Sequence, residues 1–279
     1  MKMESIFRYR NAFINWLNVV IRVKKSQYPF TAKLRNGELI TIKNSFQCWL
    51  ASYGVPVEYD EKNDITSFTF KNYNYRFIGA RNNGDLADVF GSQEFEQLDF
   101  KDKIVLDIGA NIGDSSIYFA HMGAKRVIAV EPFPKSFDSL KKNIILNEVS
   151  DKIICLNIAI SDKNGTIYLD ESIEDSTTTM AKDHENGLEI QTRTLNTLIR
   201  DYEIKDAVLK IDCEGCEYDI FKKLDYNDLY VFDSIWIEYH RELNLTREII
   251  IEKVKKAGFQ INILKKEKLT GYIIASKVN

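Results

Sequence analysis

The residues best placed to do chemistry fall in four short clusters. The first is VLDIGANIGDSS (105–116), which sets Asp107, Gly109 and Gly113 in a DxGxxxG spacing directly after an apolar run. In an open parallel sheet, ligands bind beyond the C-terminal ends of the strands. A glycine at position 109 lets the backbone turn sharply and approach a ligand that a side chain would block. Gly113 opens the following helix, for which Asp114, Ser115 and Ser116 are good first-turn residues. Ala110 and Asn111 complete the turn and join the expected ligand contacts. A dinucleotide site asks for GxGxxG, and this stretch fails in either register. With Gly109 as first glycine, Asn111 and Asp114 stand where glycines are needed; with Gly109 as second, Asp107 and Ile112 do. An acid beside the turn repels a pyrophosphate and suits a cofactor with a positive amino group. S-adenosylmethionine answers that description.

The second cluster is VEPFP (130–134). Glu131 closes an apolar run, 22 residues after Gly109, where a carboxylate can accept hydrogen bonds from both ribose hydroxyls. Phe133 is placed to lie on an adenine face. Asn157 and Ala159, at the end of the next apolar run, are expected nearby.

The third cluster is LKIDCEGCEYDIF (209–221). Strand alternation puts Lys210 and Asp212 on one side, near the strand's end. Glu214 sits in the turn and Gly215 relaxes it. Glu217 reads as a helix N-terminal acid that complements the dipole. The fourth cluster is the IEYH ending, with Glu238 and His240. Of three histidines, His121 falls at a helix end and His184 in a polar loop, which leaves His240 at the expected catalytic edge. Its ordinary pKa suits deprotonation of a hydroxyl, so it is the first candidate base, with Glu214 or Asp212 next. Lys210 could orient them or stabilise developing negative charge. A divalent ion on Asp212, Glu214 and Glu238 could lower the hydroxyl's pKa instead, and oxygen ligands favour magnesium. Cys213 and Cys216 form an isolated CxxC without a second pair. They are read as small apolar residues, with zinc and redox chemistry set aside.

These clusters need a frame that brings strand ends together. From Lys103 onward the chain alternates apolar runs with helical patterns, the signature of a parallel sheet with crossover helices. Strands are expected at 103–109, 126–131, 152–159, 207–212 and 234–240, with helices near 113–121, 134–147, 215–224 and 246–257. Asn164-Gly165 marks a turn, and ESIEDSTTTM (171–180) reads as a polar loop. FQINILKK and GYIIASKV read as an antiparallel edge. Upstream, Glu4, Arg8, Asn11, Asn15, Asn18 and Arg22 trace one helical stripe on an otherwise apolar segment. That helix is expected to pack on its own domain or a second subunit, giving a homodimer, or to lie on a membrane surface through Arg22, Lys24 and Lys25. Asn36-Gly37 marks a hairpin, and FTF with YRFIG a second β pair. The segment 85–100 reads as helical.

The 279 residues are 44% hydrophobic with a net charge of −3, which fits a globular chain and excludes a broad nucleic-acid surface. No stretch is long and apolar enough to span a bilayer, and the N-terminal apolar run lacks a cleavage site, so a cytoplasmic protein is expected.

VLDIGANIGDSS, VEPFP and LKIDCEGCEYDIF, with LNIAISDKNGTIYL (156–169), TRTLNTLI (192–199) and IEYH, resemble the FkbM family of S-adenosylmethionine-dependent methyltransferases. The resemblance covers about Asp85 to the C-terminus. It implies an α/β fold: the class I methyltransferase, Rossmann-like, doubly wound sheet of seven mostly parallel strands with an antiparallel last strand. Residues 1–80 would form an N-terminal helix and β cap, and 81–279 the methyltransferase domain. The implied reaction is O-methylation of a sugar, glycan, glycolipid or natural-product acceptor. The family usually carries small apolar residues at the two cysteine positions. Two alternatives stand beside it. One is a nicotinamide-dependent dehydrogenase, opposed by the glycine spacing. The other is a cofactor-binding relative without activity, which predicts a broken acidic cluster where this one is intact.

Overall fold

A computed structural model describes residues 3–82, 85–169, 187–240, 247–266 and 270–277. The chain divides into two compact units, Met1–Glu94 and Phe95–Asn279.

The first unit opens with α1 (Met3–Ala12) and α2 (Trp16–Lys24). The expected single helix is therefore two. The polar stripe does not face one environment: Phe13 is fully buried and bridges Leu34, while Asn15 leaves the helical path to bond a strand. Its Oδ1 accepts from the Lys33 amide at 2.8 Å and its Nδ2 donates to the Thr31 carbonyl at 3.2 Å. That strand is β1 (Phe30–Lys33), paired antiparallel with β2 (Leu39–Ile42) around Asn36-Gly37, as expected. α3 (Ser45–Ser52) follows, its first turn capped by the Asn44 side chain. β3 (Glu58–Asp60), β4 (Ile65–Phe70) and β5 (Tyr73–Ile78) form a three-stranded antiparallel sheet. Lys71 and Asn72 both adopt positive φ in the tight β4–β5 turn, the backbone that matches strand twist. Phe68 and Tyr75 pack on Phe90 with ring centroids 4.8 and 4.7 Å apart. Phe90 belongs to a short π-helical segment, Ala87–Ser92, which together with the helical Asp85 and Leu86 before it is the helix found where 85–100 reads as helical. Gly91 lies so close to Tyr53 that a Cβ would meet its carbonyl oxygen at 2.7 Å.

The second unit is a seven-stranded sheet. In chain order it contains β6 (Ile104–Ile108), α4 (Asp114–His121), β7 (Arg126–Val130), α5 (Pro134–Leu146) and β8 (Ile153–Leu156). β9 (Ala159–Ile160), β10 (Gly165–Leu169) and β11 (Leu188–Arg193) form a separate small sheet. Then come α6 (Leu195–Asp201), β12 (Ala207–Ile211), α7 (Cys216–Lys223), β13 (Phe232–His240), α8 (Glu248–Lys256), β14 (Phe259–Lys266) and β15 (Thr270–Lys277). The main order is β14-β15-β13-β12-β6-β7-β8, and β15 runs antiparallel to both its neighbours. This is the expected doubly wound sheet with an antiparallel last strand. β12 is buried at every position, as a strand covered on both faces must be, and Lys210 is its single charged residue. The expected strand over 152–159 breaks after Leu156, because Asn157 turns inward to bond the chain after β7. The loop expected at 171–180 and His184 lie outside the described residues. Among the described residues, no helix is long and apolar enough to cross a membrane.

Candidate active site

The ends of β6, β7, β12 and β13 lie side by side in the sheet, so all four clusters open on one edge. β6 and β12 pair in register with Lys210 opposite Asp107. Lys210 Nζ lies 3.1 Å from Asp107 Oδ1 and donates to the Gly109 carbonyl at 2.8 Å. Both side chains are buried, so each charge depends on the other. Burial disfavours the ammonium, yet Asp107 and Asp212 outweigh it and hold the Lys210 pKa above its usual value. Asp107 Oδ2 accepts from Ser115 and Ser116 at 2.7 and 2.5 Å, which ties the start of α4 to the strand. The two serines are thus more than favourable first-turn residues.

Gly109 has φ +79°, and a Cβ there would lie 1.6 Å from the Asp212 carbonyl oxygen. Its absent side chain makes room for the β12 turn, a tighter constraint than the ligand approach inferred from sequence. Gly109 and Ala110 amides both donate to the Val130 carbonyl at 3.0 Å, and the Asp212 amide donates to the Ile108 carbonyl at 3.0 Å. Gly113, with φ +93°, packs against Leu140 of α5. The glycine turn is therefore locked from both neighbouring strands.

Glu131 is 2% exposed. Its Oε2 accepts from the Asn111 amide and its Oε1 from the Phe133 amide, each at 2.9 Å, so one carboxylate clamps the glycine turn to the start of α5. Burial pushes its pKa up to about 7, against the two amides and Lys210. Phe133 is buried with Ala159, Leu169 and Ile190. Half-buried Asn157 donates to the Glu131 and Pro132 carbonyls at 2.9 and 3.0 Å, which brings both predicted adenine-side residues to the Glu131 end.

Beyond Lys210 the charges continue. Asp212 Oδ2 lies 3.9 Å from Lys210 Nζ, and burial raises the Asp212 pKa although Lys210 and His240 oppose it. His240 Nε2 lies 3.3 Å from Glu214 Oε2. Glu217, fully buried, accepts on Oε1 from the His240 amide at 2.7 Å and faces the ring Nδ1 at 3.3 Å. Its Oε2 accepts from the Gly215 amide at 2.8 Å. Glu217 is the first-turn acid of α7 that its position in the sequence predicts, and it also bonds the His240 amide and faces its ring, which the sequence pattern does not indicate. Desolvation works against the imidazolium, but Glu217, Glu214 and Asp212 prevail and raise the His240 pKa to about 9. Lys210 is engaged beneath the glycine turn by Asp107 and the Gly109 carbonyl.

Asp212, Glu238 and His240 each offer a ligand atom within 4.8 Å of the others, a span a small cation could bridge. The fold thus groups His240 with the two acids, where sequence reading grouped Glu214. Cys213 and Cys216 are joined by a disulfide across the turn that holds Glu214, with Cα atoms 5.4 Å apart. Reading them as small apolar residues is corrected by that bond.

Residues 107–261, more than half of the chain, match the methyltransferase FkbM domain. The chain is 32% identical over 187 residues to protein arginine N-methyltransferase 1 of Saccharomyces cerevisiae, covering 60% of this chain and 50% of that protein. It is 24% identical over 193 residues to methyltransferase sdnD of Sordaria araneosa, covering 57% of this chain and 69% of the relative. The chain thus spans half the length of the yeast relative. A solved FkbM methyltransferase from Methylobacillus flagellatus aligns with TM-score 0.46 and 18% identity over 63% of this chain and 45% of its own. With the domain match covering the glycine turn, the acidic cluster and the His240 edge, the chain belongs to the FkbM methyltransferase family.

Proposed function

We propose that the chain is an S-adenosylmethionine-dependent O-methyltransferase acting on a hydroxyl of a sugar, glycan, glycolipid or natural-product acceptor. The observation that carries this reading is the charge set around the glycine turn. Asp107, Glu131 and Asp212 surround it, and the ammonium of Lys210 is engaged by Asp107 and the Gly109 carbonyl. Such a site repels a pyrophosphate and accepts a ligand whose charged end is cationic. When bound, S-adenosylmethionine supplies a methyl group on a positively charged sulfur, open to attack by a hydroxyl oxygen.

The chain's own residues do the rest. Asp107, Gly109, Ala110, Asn111 and Gly113 hold the amino acid portion. Glu131 takes the ribose; Phe133, Asn157 and Ala159 flank the adenine. Positioning supplies much of the rate, because the methyl donor is already activated. His240 in its neutral form accepts the hydroxyl proton, and Glu217 fixes the ring that does so. The surrounding carboxylates confine that neutral form to alkaline pH. At neutral pH, Glu214 or Asp212 is next in line. A cation on Asp212, Glu238 and His240 is the competing way to activate the hydroxyl, and turnover that survives a chelator argues against it.

A lipid-linked acceptor is favoured by the first unit. Phe7, Ile14, Leu17 and Ile21 are 57%, 45%, 60% and 52% exposed. From Ser5 to Gly37 the chain has seven lysines and arginines and no acid. That combination suits an anionic membrane surface.

Calorimetric titration with S-adenosylhomocysteine, beside NAD and beside Glu131→Ala, tests the cofactor assignment. Binding of the first ligand alone, lost in the variant, is the expected result. Binding of NAD instead overturns it.

A further inference from the structure

The methyl-transfer reading has no use for the Cys213–Cys216 bond, although the bond lies inside the site. It closes a loop with a sequence separation of only 3, so it restrains the unfolded chain far less than a bridge between distant segments. Its position is what distinguishes it. Cys213 follows Asp212, Glu214 lies within the loop, and Cys216 begins α7, whose next residue is the Glu217 that holds His240. Both cysteines are half-buried, within reach of a small thiol. Glu214 and Gly215 take positive φ, 54° and 115°, a backbone that Glu214 adopts at a cost. Besides the disulfide, the turn holds a long 3.4 Å backbone bond from the Cys216 amide to the Cys213 carbonyl and the 2.8 Å bond from the Gly215 amide to Glu217 Oε2. The same segment abuts the cofactor turn: a Cβ on Gly109 would meet the Asp212 carbonyl oxygen at 1.6 Å and the Cys213 Cα at 3.3 Å.

We propose that Cys213 and Cys216 form a reversible thiol–disulfide exchange site whose ligand is a dithiol reductant, and whose oxidised state holds Glu214 against His240. A thiolate of the reductant attacks one cysteine sulfur, making a mixed disulfide and breaking the Cys213–Cys216 bond. The released sulfur takes up a proton. The reductant's second thiol then displaces the first sulfur, which is protonated in turn. The protein gains two electrons and two protons, and the reductant leaves as its own disulfide. A disulfide oxidant runs the same steps backwards. Reduction frees the turn, and Glu214 leaves its 3.3 Å approach to His240.

The effect on turnover rests on the methyl-transfer reading, so the test reads the site without it. The full chain is equilibrated with graded ratios of dithiothreitol and its oxidised form, quenched with an alkylating reagent in denaturant, and weighed. Cys48 and Cys155 are free thiols. Two alkylated thiols are expected at the oxidising end and four at the reducing end, interconverting reversibly. The His240 ring-proton signals, assigned by their loss in His240→Ala, are recorded by NMR at one pH in both states and are expected to differ in chemical shift. Cys213→Ser/Cys216→Ser is expected to show the reduced-state shifts at every ratio. Four alkylated thiols at every ratio, identical His240 shifts in both states, or a redox response that persists in the double variant each overturn the proposal. Loss of S-adenosylhomocysteine binding in both states would instead count against the cofactor reading and leave these readouts standing.

Discussion

One oxygen of Glu217, Oε1, faces both the backbone amide of His240 at 2.7 Å and its ring Nδ1 at 3.3 Å. A single buried carboxylate thereby fixes where β13 ends and how the imidazole is turned. It also adds negative charge to a ring already beside Glu214 and Asp212, which is why the His240 pKa rises to about 9.

The first prediction concerns pH. His240 is raised above its usual 6.5, so its contribution to stability is fully present below 6.5 and is lost as pH rises through about 9. Activity runs the other way, because only the neutral ring can take a proton. Turnover should climb between pH 7 and about 9, while thermal stability declines over the same window. His240→Ala should lower turnover by roughly 10²–10⁴-fold with cofactor affinity retained. A pH profile that is flat across this window would move the base to Glu214 or Asp212.

Glu217→Gln separates orientation from charge. The amide is nearly isosteric, so one acceptor remains for the His240 backbone while the charge facing the ring is lost. The alkaline rise in turnover should shift downward by about 1 pH unit, the low end for a nearby opposite charge. Stability should fall by about 1–3 kcal/mol, because one of the bonded buried groups meets an N–H in place of an acceptor. A merely structural Glu217 would give the stability loss with the pH profile unmoved.

Much of this site was open to reading in the sequence. Asp107, Gly109, Gly113 and Glu131 stand at the ends of apolar runs, and a strand fully covered by helices writes itself as such a run. Strand-end residues of one parallel sheet then converge whatever the loops do. Contacts set by the path of a turn were not legible. An acid in the first turn of a helix has the same local pattern whether it faces water or, like Glu217, a histidine 23 residues away. The steric role of Gly109 depends on the backbone of Asp212, which is remote in sequence. Phe13 breaks the N-terminal helix because its ring is swallowed by the first unit's core, which outweighs a periodic polar stripe.

Glu131 supplies a second pH test with the same sign for stability. Its folded pKa of about 7 lies above the usual 4.5, so stability present below 4.5 is lost as pH rises through about 7. Ribose hydroxyls bind best to the ionised carboxylate, so S-adenosylhomocysteine affinity should tighten from pH 6 to 8. Glu131→Gln should weaken it at least about tenfold at pH 8 and flatten the dependence, read by calorimetry.

Gly109→Ala should damage the fold itself. The new methyl would collide with backbone at 1.6 Å on a residue held at φ +79°. A loss of about 3 kcal/mol or more is expected in urea unfolding, since backbone must move. Gly37→Ala is the control: φ is also positive there, at +93°, but nothing lies within 4 Å, so the cost should stay at about 1 kcal/mol.

The exposed apolar residues of α1 and α2 make the last test. Leu17 and Ile21 lie one helical turn apart on α2, with Lys24 and Lys25 exposed at its end. Apolar side chains can enter the headgroup boundary while the cations meet anionic lipid, each adding about 1 kcal/mol near the surface. The chain should co-sediment with vesicles containing phosphatidylserine and not with vesicles of phosphatidylcholine alone. Because the attraction is partly electrostatic, raising the salt should weaken it. Leu17→Glu/Ile21→Glu should abolish sedimentation without altering S-adenosylhomocysteine affinity. If the chain ignores both vesicles but forms dimers that the same double variant dissolves, the face is covered by a second copy and the lipid-linked acceptor loses its support.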